Sequence, residues 1–214
     1  MIRRLISICS AALLLLCMCG GCARATSKDD ALIALGRYEE ALKAYEQTIK
    51  VNPDDAEAWA NKGIALGHLG RYEEALQAFD QAIKIDSNCA YAWYNKGSLL
   101  GYLGCYEEAL QVCDRAIEID SDAAEAWANK GFALNELGRH EEALQTFDQA
   151  IKINPDFSEA WHNKGVTLGY LGRYEEALQA FDKVIKIDLD DTCAWYNKGK
   201  TLNKLGRYKE ALQA

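Results

Sequence analysis

Residues 56–89 read AEAWANKGIALGHLGRYEEALQAFDQAIKIDSNC, and close variants of that phrase fill residues 90–123, 124–157 and 158–191. The tryptophan marks the period: Trp59, Trp93, Trp127, Trp161 and Trp195 stand 34 residues apart. A truncated copy occupies 192–214. A partial copy at 28–55 lacks the tryptophan but keeps Leu35-Gly36-Arg37-Tyr38 and ends in Val51-Asn52-Pro53-Asp54. A fixed period of this length predicts stacked supersecondary units, each unable to bury its apolar face without its neighbours.

Each unit predicts two helices. Ala58, Trp59, Ala65, Leu66 and Leu69 form one apolar stripe at helical spacing, and Ala75, Leu76, Phe79, Ala82 and Ile83 form a second. Gly70 lies between them, where a glycine commonly ends a helix. Asp54, Asn88, Asp122, Asp156 and Asp190 stand at the unit boundaries and are expected as N-caps; Glu57, Glu125 and Glu159 complete three capping boxes. Glu73 and Glu74 begin the second helix and Lys84 ends it, which suits the helix dipole. Gly63, Gly97, Gly131, Gly165 and Gly199 fall inside helices, where glycine costs about 1 kcal/mol against alanine. The repeated cost implies close helix–helix approach, matched by Ala75, Ala109, Ala143, Ala177 and Ala211. The five tryptophans are expected to be buried between units.

The recurring Trp, Gly, Leu, Tyr, Ala, Phe and Ala in a 34-residue unit resemble the tetratricopeptide repeat family from about Lys28 onward. The resemblance implies an all-α, right-handed superhelical solenoid of antiparallel helix pairs, with the first helix of each pair on the concave face. The chain departs from the pattern at His140 for tyrosine, Cys113 for the aromatic, and Thr48 and Val184 for alanine. A lysine follows each asparagine of the unit (Lys62, Lys96, Lys130, Lys164, Lys198), its stem able to cover apolar surface while the charge reaches water.

The N-terminus is of another kind. Arg3 and Arg4 precede an uncharged stretch to Cys19, then Gly20-Gly21-Cys22. Residues 1–21 read as a signal peptide, too short for a spanning helix of about 20 apolar residues, and 22–27 as a short linker. The small-small-Cys ending resembles a lipoprotein signal, which implies that Cys22 carries lipid; Cys19, where leucine is usual, departs from it. An uncleaved anchor and a cleaved secretory signal are the alternatives. Each places the repeats outside the cytoplasm: membrane-anchored at the cell envelope in the first two readings, secreted in the third.

Loss of residues 1–21 removes two arginines and no acid, leaving 22 basic and 32 acidic residues, a net charge of −10. That charge argues against nucleic acid and against electrostatic adhesion to anionic lipid. Cys89, Cys105, Cys113 and Cys193 form no C-x-x-C pair and are expected as free thiols, with Cys113 a small buried hydrophobe. No metal site or cofactor is expected. His68, His140 and His162 lie in three different units, the paired glutamates recur at a helix start, and no P-loop, G-x-G-x-x-G, H-E-x-x-H or G-x-S-x-G is present. The expectation is therefore a protein that is not an enzyme.

Asn61, Asn95, Asn129, Asn163 and Asn197 follow the tryptophans by two residues, about 200° around the helix, and are expected to face solvent. Each can pair with a peptide group. The resemblance adds that groove asparagines often hold extended peptides by the backbone, with Asn95, Asn129 and Asn163 the central rungs. Tyr91, Tyr94, Tyr102, Phe132, His162, Tyr170 and Tyr196 are expected to project from first helices, and Tyr94, Phe132 and Tyr170 to read the ligand's sequence. The expected function is a membrane-tethered scaffold binding a peptide or protein segment. The alternatives are self-association through an exposed C-terminal repeat, and the repeat arm of a larger protein such as a glycosyltransferase.

Overall fold

The computed structural model describes residues 28–213. The expected signal segment, the linker and Cys22 lie outside the described residues, as does Ala214. Twelve helices and no strands make up the described residues: α1 Lys28–Ala34, α2 Tyr38–Val51, α3 Ala56–His68, α4 Tyr72–Ile85, α5 Ala90–Tyr102, α6 Tyr106–Ile119, α7 Ala124–Glu136, α8 His140–Ile153, α9 Ser158–Tyr170, α10 Tyr174–Ile187, α11 Thr192–Lys204 and α12 Tyr208–Ala211. They form two compact units divided between Ser121 and Asp122. The first holds α1 to α6 and the second α7 to α12. Within each, antiparallel pairs stack, as the all-α expectation requires.

The turn inside each pair is a Schellman motif. At the end of α3 the Gly70 N–H donates to Gly67 O (3.0 Å) and the Arg71 N–H to Leu66 O (2.9 Å). Gly70 reaches φ +76, a conformation costly for any residue with a Cβ. Arg71 then clasps Glu74 through Nε (2.7 Å) and Nη2 (2.6 Å), and that bond holds the Glu74 carboxyl below the ordinary carboxylate range. Arg37, Arg139, Arg173 and Arg207 repeat the clasp. These pairs are exposed, so they contribute little to stability.

The core explains the helical glycines. A Cβ built on Gly63 would lie 2.7 Å from the Phe79 ring, one on Gly131 2.6 Å from Phe147, and one on Gly165 2.7 Å from Phe181. All three rings are fully buried. At Gly97 the obstacle is the Cys113 Sγ, 2.5 Å away, so the cysteine does occupy the aromatic's place. Ala75, Ala109, Ala143 and Ala177 have no exposed surface, while Ala211 is half-buried.

Two expectations need correction. The N-caps of first helices stand one residue later than the boundary acids: Asp55, Cys89, Ala123, Phe157 and Asp191. Only Asp55 and Asp191 cap with a side chain, accepting from Ala58 N (2.9 Å) and Ala194 N (2.8 Å). Polar side chains also shape the turns before first helices: Asn88 N–H donates to Asp86 Oδ1 (2.9 Å), Asp156 N–H to Asn154 Oδ1 (3.2 Å) and Asp190 N–H to Asp188 Oδ1 (3.0 Å).

The tryptophans are half-buried, not buried. Their indole N–H groups reach the inter-pair loop: Trp59 donates to Pro53 O (2.9 Å), Trp93 to Ser87 O (3.0 Å), Trp161 to Pro155 O (2.9 Å) and Trp195 to Leu189 O (2.8 Å). An indole has one donor, and using it on the loop carbonyl keeps the ring at the surface. The lysines meet the rings with their charge rather than their stems: Nζ of Lys62, Lys130, Lys164 and Lys198 lies 5.0–5.8 Å from the ring centres. Lys96, Lys164 and Lys198 also pair with Asp80, Asp148 and Asp182 on preceding second helices, and Lys62 with Glu46.

Candidate functional site

The face built by first helices begins, in the first unit, with α3 and α5. Asn61 and Asn95 are buried rather than solvent-facing, Asn95 with only 2% of its surface exposed. Asn61 Oδ1 accepts from the Tyr91 hydroxyl (2.9 Å), and Asn95 Nδ2 donates to the Tyr91 carbonyl (2.8 Å). Tyr91 meets Tyr94 edge-on at 5.5 Å. Asn61 therefore ties α3 to α5 through the Tyr91 hydroxyl, while Asn95 bonds within α5 to the Tyr91 carbonyl. An offset of about 200° from the tryptophan faces solvent only on an isolated helix; on α3 the next first helix, α5, covers that side.

In the second unit α7, α9 and α11 present the corresponding face. Asn129 and Asn163 are 8% exposed, and Asn197 is half-buried. Asn163 makes no side-chain hydrogen bond among the described residues, and Asn197 Nδ2 stands 3.3 Å from His162 Nε2. Phe132 is buried at 7% and His162 at 1%, so neither projects as expected. Phe132 is core, and His162 packs edge-on against Phe181 at 5.8 Å. Burial holds its imidazole below the ordinary value, with Asp191 acting in the opposite sense. Tyr170, by contrast, is 54% exposed.

Pairs of rings 30 residues apart join successive helix pairs within each unit. Tyr38 stacks on His68 at 4.2 Å, the Tyr72 hydroxyl donates to that of Tyr102 (3.2 Å), and His140 stacks on Tyr170 at 5.3 Å. His140 thus keeps the packing role of the tyrosine it replaces. Its Nδ1 lies 3.0 Å from Asn135 Oδ1, which also accepts from Thr167 Oγ1 at 2.9 Å. Sequence reading missed Asn135 and these pairs, because alignment on a 34-residue period puts the two rings in different columns. An interval of one unit less four residues was the available signal.

Asn61, Asn95, Asn135 and Asn197 of this face are hydrogen-bonded within the fold. Among the described residues no cluster of His, Cys, Asp and Glu fits a metal ion. The four described cysteines are free, and burial pushes the Cys89 thiol up, away from the reactive thiolate. No described helix is long and apolar enough to cross a membrane.

The tetratricopeptide repeat pattern matches residues 30–88, 90–122, 124–157, 158–191 and 194–214. This chain belongs to the tetratricopeptide repeat family. No curated protein matches it. Among solved structures, PilW, a type IV pilus biogenesis factor, is similar with a TM-score of 0.79 and 22% identity, over 88% of this chain and 87% of that one. TTC0263 of Thermus thermophilus gives 0.70 and 24%, over 87% and 96%. YrrB, described as a tetratricopeptide repeat protein with an unusual peptide-binding site, gives 0.59 and 28%, over 79% and 88%. A tetratricopeptide repeat fold is a protein-interaction scaffold.

Proposed function

We propose that this chain is a non-catalytic scaffold, tethered to the membrane through its N-terminus, that holds an extended peptide or protein segment against its first helices. The observation that carries this reading is Tyr170: a ring stacked on His140, yet more than half in solvent. Rigid, exposed aromatics are efficient binding anchors. Asn61 and Asn95 are committed to Tyr91 and serve the fold. YrrB's peptide-binding site supports the class of ligand.

Pull-down from native membranes supplies the ligand, and calorimetric titration measures it. Tyr170→Ala should weaken binding by about tenfold or more, roughly 1.4 kcal/mol, with little change in melting temperature. Unchanged affinity would move the partner to another surface. For the tether, mass spectrometry should find an acylated Cys22 as the first residue; an intact Met1 without acyl mass would point to an uncleaved anchor.

A further inference from the structure

We propose, building on the reading of Tyr170 as an anchor, that Asn135, His140 and Thr167 are its positioning residues: together they hold the Tyr170 ring in its stacked, exposed place. All three depart from the repeat. Gly67, Gly101 and Gly169 hold the position of Asn135, Tyr72, Tyr106 and Tyr174 that of His140, and Ala65, Leu99 and Ala133 that of Thr167. The three departures meet at one oxygen. Asn135 Oδ1 stands 2.9 Å from Thr167 Oγ1 and 3.0 Å from His140 Nδ1. In the last copy the same departures do not combine. Thr201 lies 32 residues after Gly169, not after an asparagine, and bonds back to Asn197 O (2.7 Å); Asn203 is exposed and is followed by Tyr208.

The direction of the amide follows from its other end. Asn135 Nδ2 faces the Glu136 carboxylate (3.4 Å), which only accepts. The oxygen is therefore the end toward Thr167 and His140, and His140 presents Nδ1 as an N–H. The Thr167 hydroxyl has one proton to share between Asn135 Oδ1 and Asn163 O, 2.8 Å away in its own helix. Thr167 has no exposed surface and Asn135 is buried, so little water competes for these bonds. The rings record the result. In the first unit Tyr72 keeps the tyrosine: its hydroxyl bonds that of Tyr102, the rings tilt by 53°, and Tyr102 is half-buried. His140 has no hydroxyl to offer. Held through Nδ1, it lies within 8° of parallel to the Tyr170 ring, and Tyr170 stays exposed. A binding ring backed by packing and hydrogen bonds keeps the geometry its partner requires.

The probe is a linear peptide, selected on the full chain from a random phage library and kept only if Tyr170→Ala weakens it by about tenfold or more. Thr167 is fully buried and cannot touch that peptide, so an effect there must pass through the network. T167V, which lacks the hydroxyl, should bind about fivefold or more weakly, and T167S, which keeps it, within about twofold of wild type. N135G/H140Y/T167A restores residues that other copies of the repeat use. It should bind about tenfold more weakly with no fall in melting temperature. In protein labelled with fluorotyrosine, the fluorine NMR resonance of Tyr170, assigned by its loss in Y170F, should move in T167V and in the triple variant. A merely structural network gives the reverse: a lower melting temperature, with affinity and the Tyr170 resonance unchanged. Affinity of T167V or of the triple variant within about twofold of wild type, or an unmoved resonance, overturns the proposal and leaves Tyr170 as an anchor. Enriched peptides indifferent to Tyr170→Ala, or no enrichment at all, overturn the anchor reading and this proposal with it.

Discussion

At the scale of the residue, the tryptophans and histidines behave differently from what their types suggest. Trp161 splits its ring between core and surface so that its N–H can hold the Pro155 carbonyl. Trp161→Ala should therefore cost about 2–3 kcal/mol in urea denaturation, below the roughly 3–5 kcal/mol of a fully buried aromatic. A loss under about 1 kcal/mol would show that the loop clamp is idle. His162 and His68 are held below the ordinary 6.5 by burial. A depressed folded value means that the neutral imidazole favours folding: the contribution is full above the unfolded value and is lost as pH falls through the lower folded value. The carboxylates of the Arg–Glu clasps titrate below their ordinary 4.5, so they stay charged throughout that window. The urea midpoint should fall between about pH 7.5 and about pH 5, and His162→Gln should flatten part of the slope. A flat wild-type profile would contradict the buried neutral histidine.

At the scale of the element, each pair is set by two glycines with opposite purposes. The turn glycines, such as Gly172 at φ +73, supply a backbone conformation; the helical glycines supply clearance. Gly165→Ala should destabilise by about 1–3 kcal/mol, because the new methyl meets the Phe181 ring and overpacking outweighs the gain in helix propensity. Gly169→Ala, one turn on, should stabilise by up to about 1 kcal/mol. Thermal melts of the two variants test this directly, and movement in the same direction would refute it. Both glycines look alike in sequence. Only the positions of neighbouring rings distinguish them.

At the scale of the whole molecule, acidity governs partners. With a net charge of −8 and most first-helix lysines already paired, the chain should not shift single-stranded DNA at about 0.15 M salt in a gel assay. Retention at that salt would mean that Lys200 and Lys204 act as a phosphate site. The architecture was legible without coordinates, because a repeat states its own pattern several times: helix stripes, turn glycines, clearance glycines and the Cys113 substitution all follow from spacing and volume. The face that meets a partner was not. Whether Asn61, Asn163, Phe132 or Tyr170 is buried depends on the helix that follows in the stack, 30 to 35 residues away, which period and helical angle do not describe. The sequence by itself determined the stacked helix pairs, since local stripes and glycines act within one unit. Only the tertiary structure decided which polar and aromatic groups the stack consumes and which it leaves open, since that depends on where neighbouring helices lie.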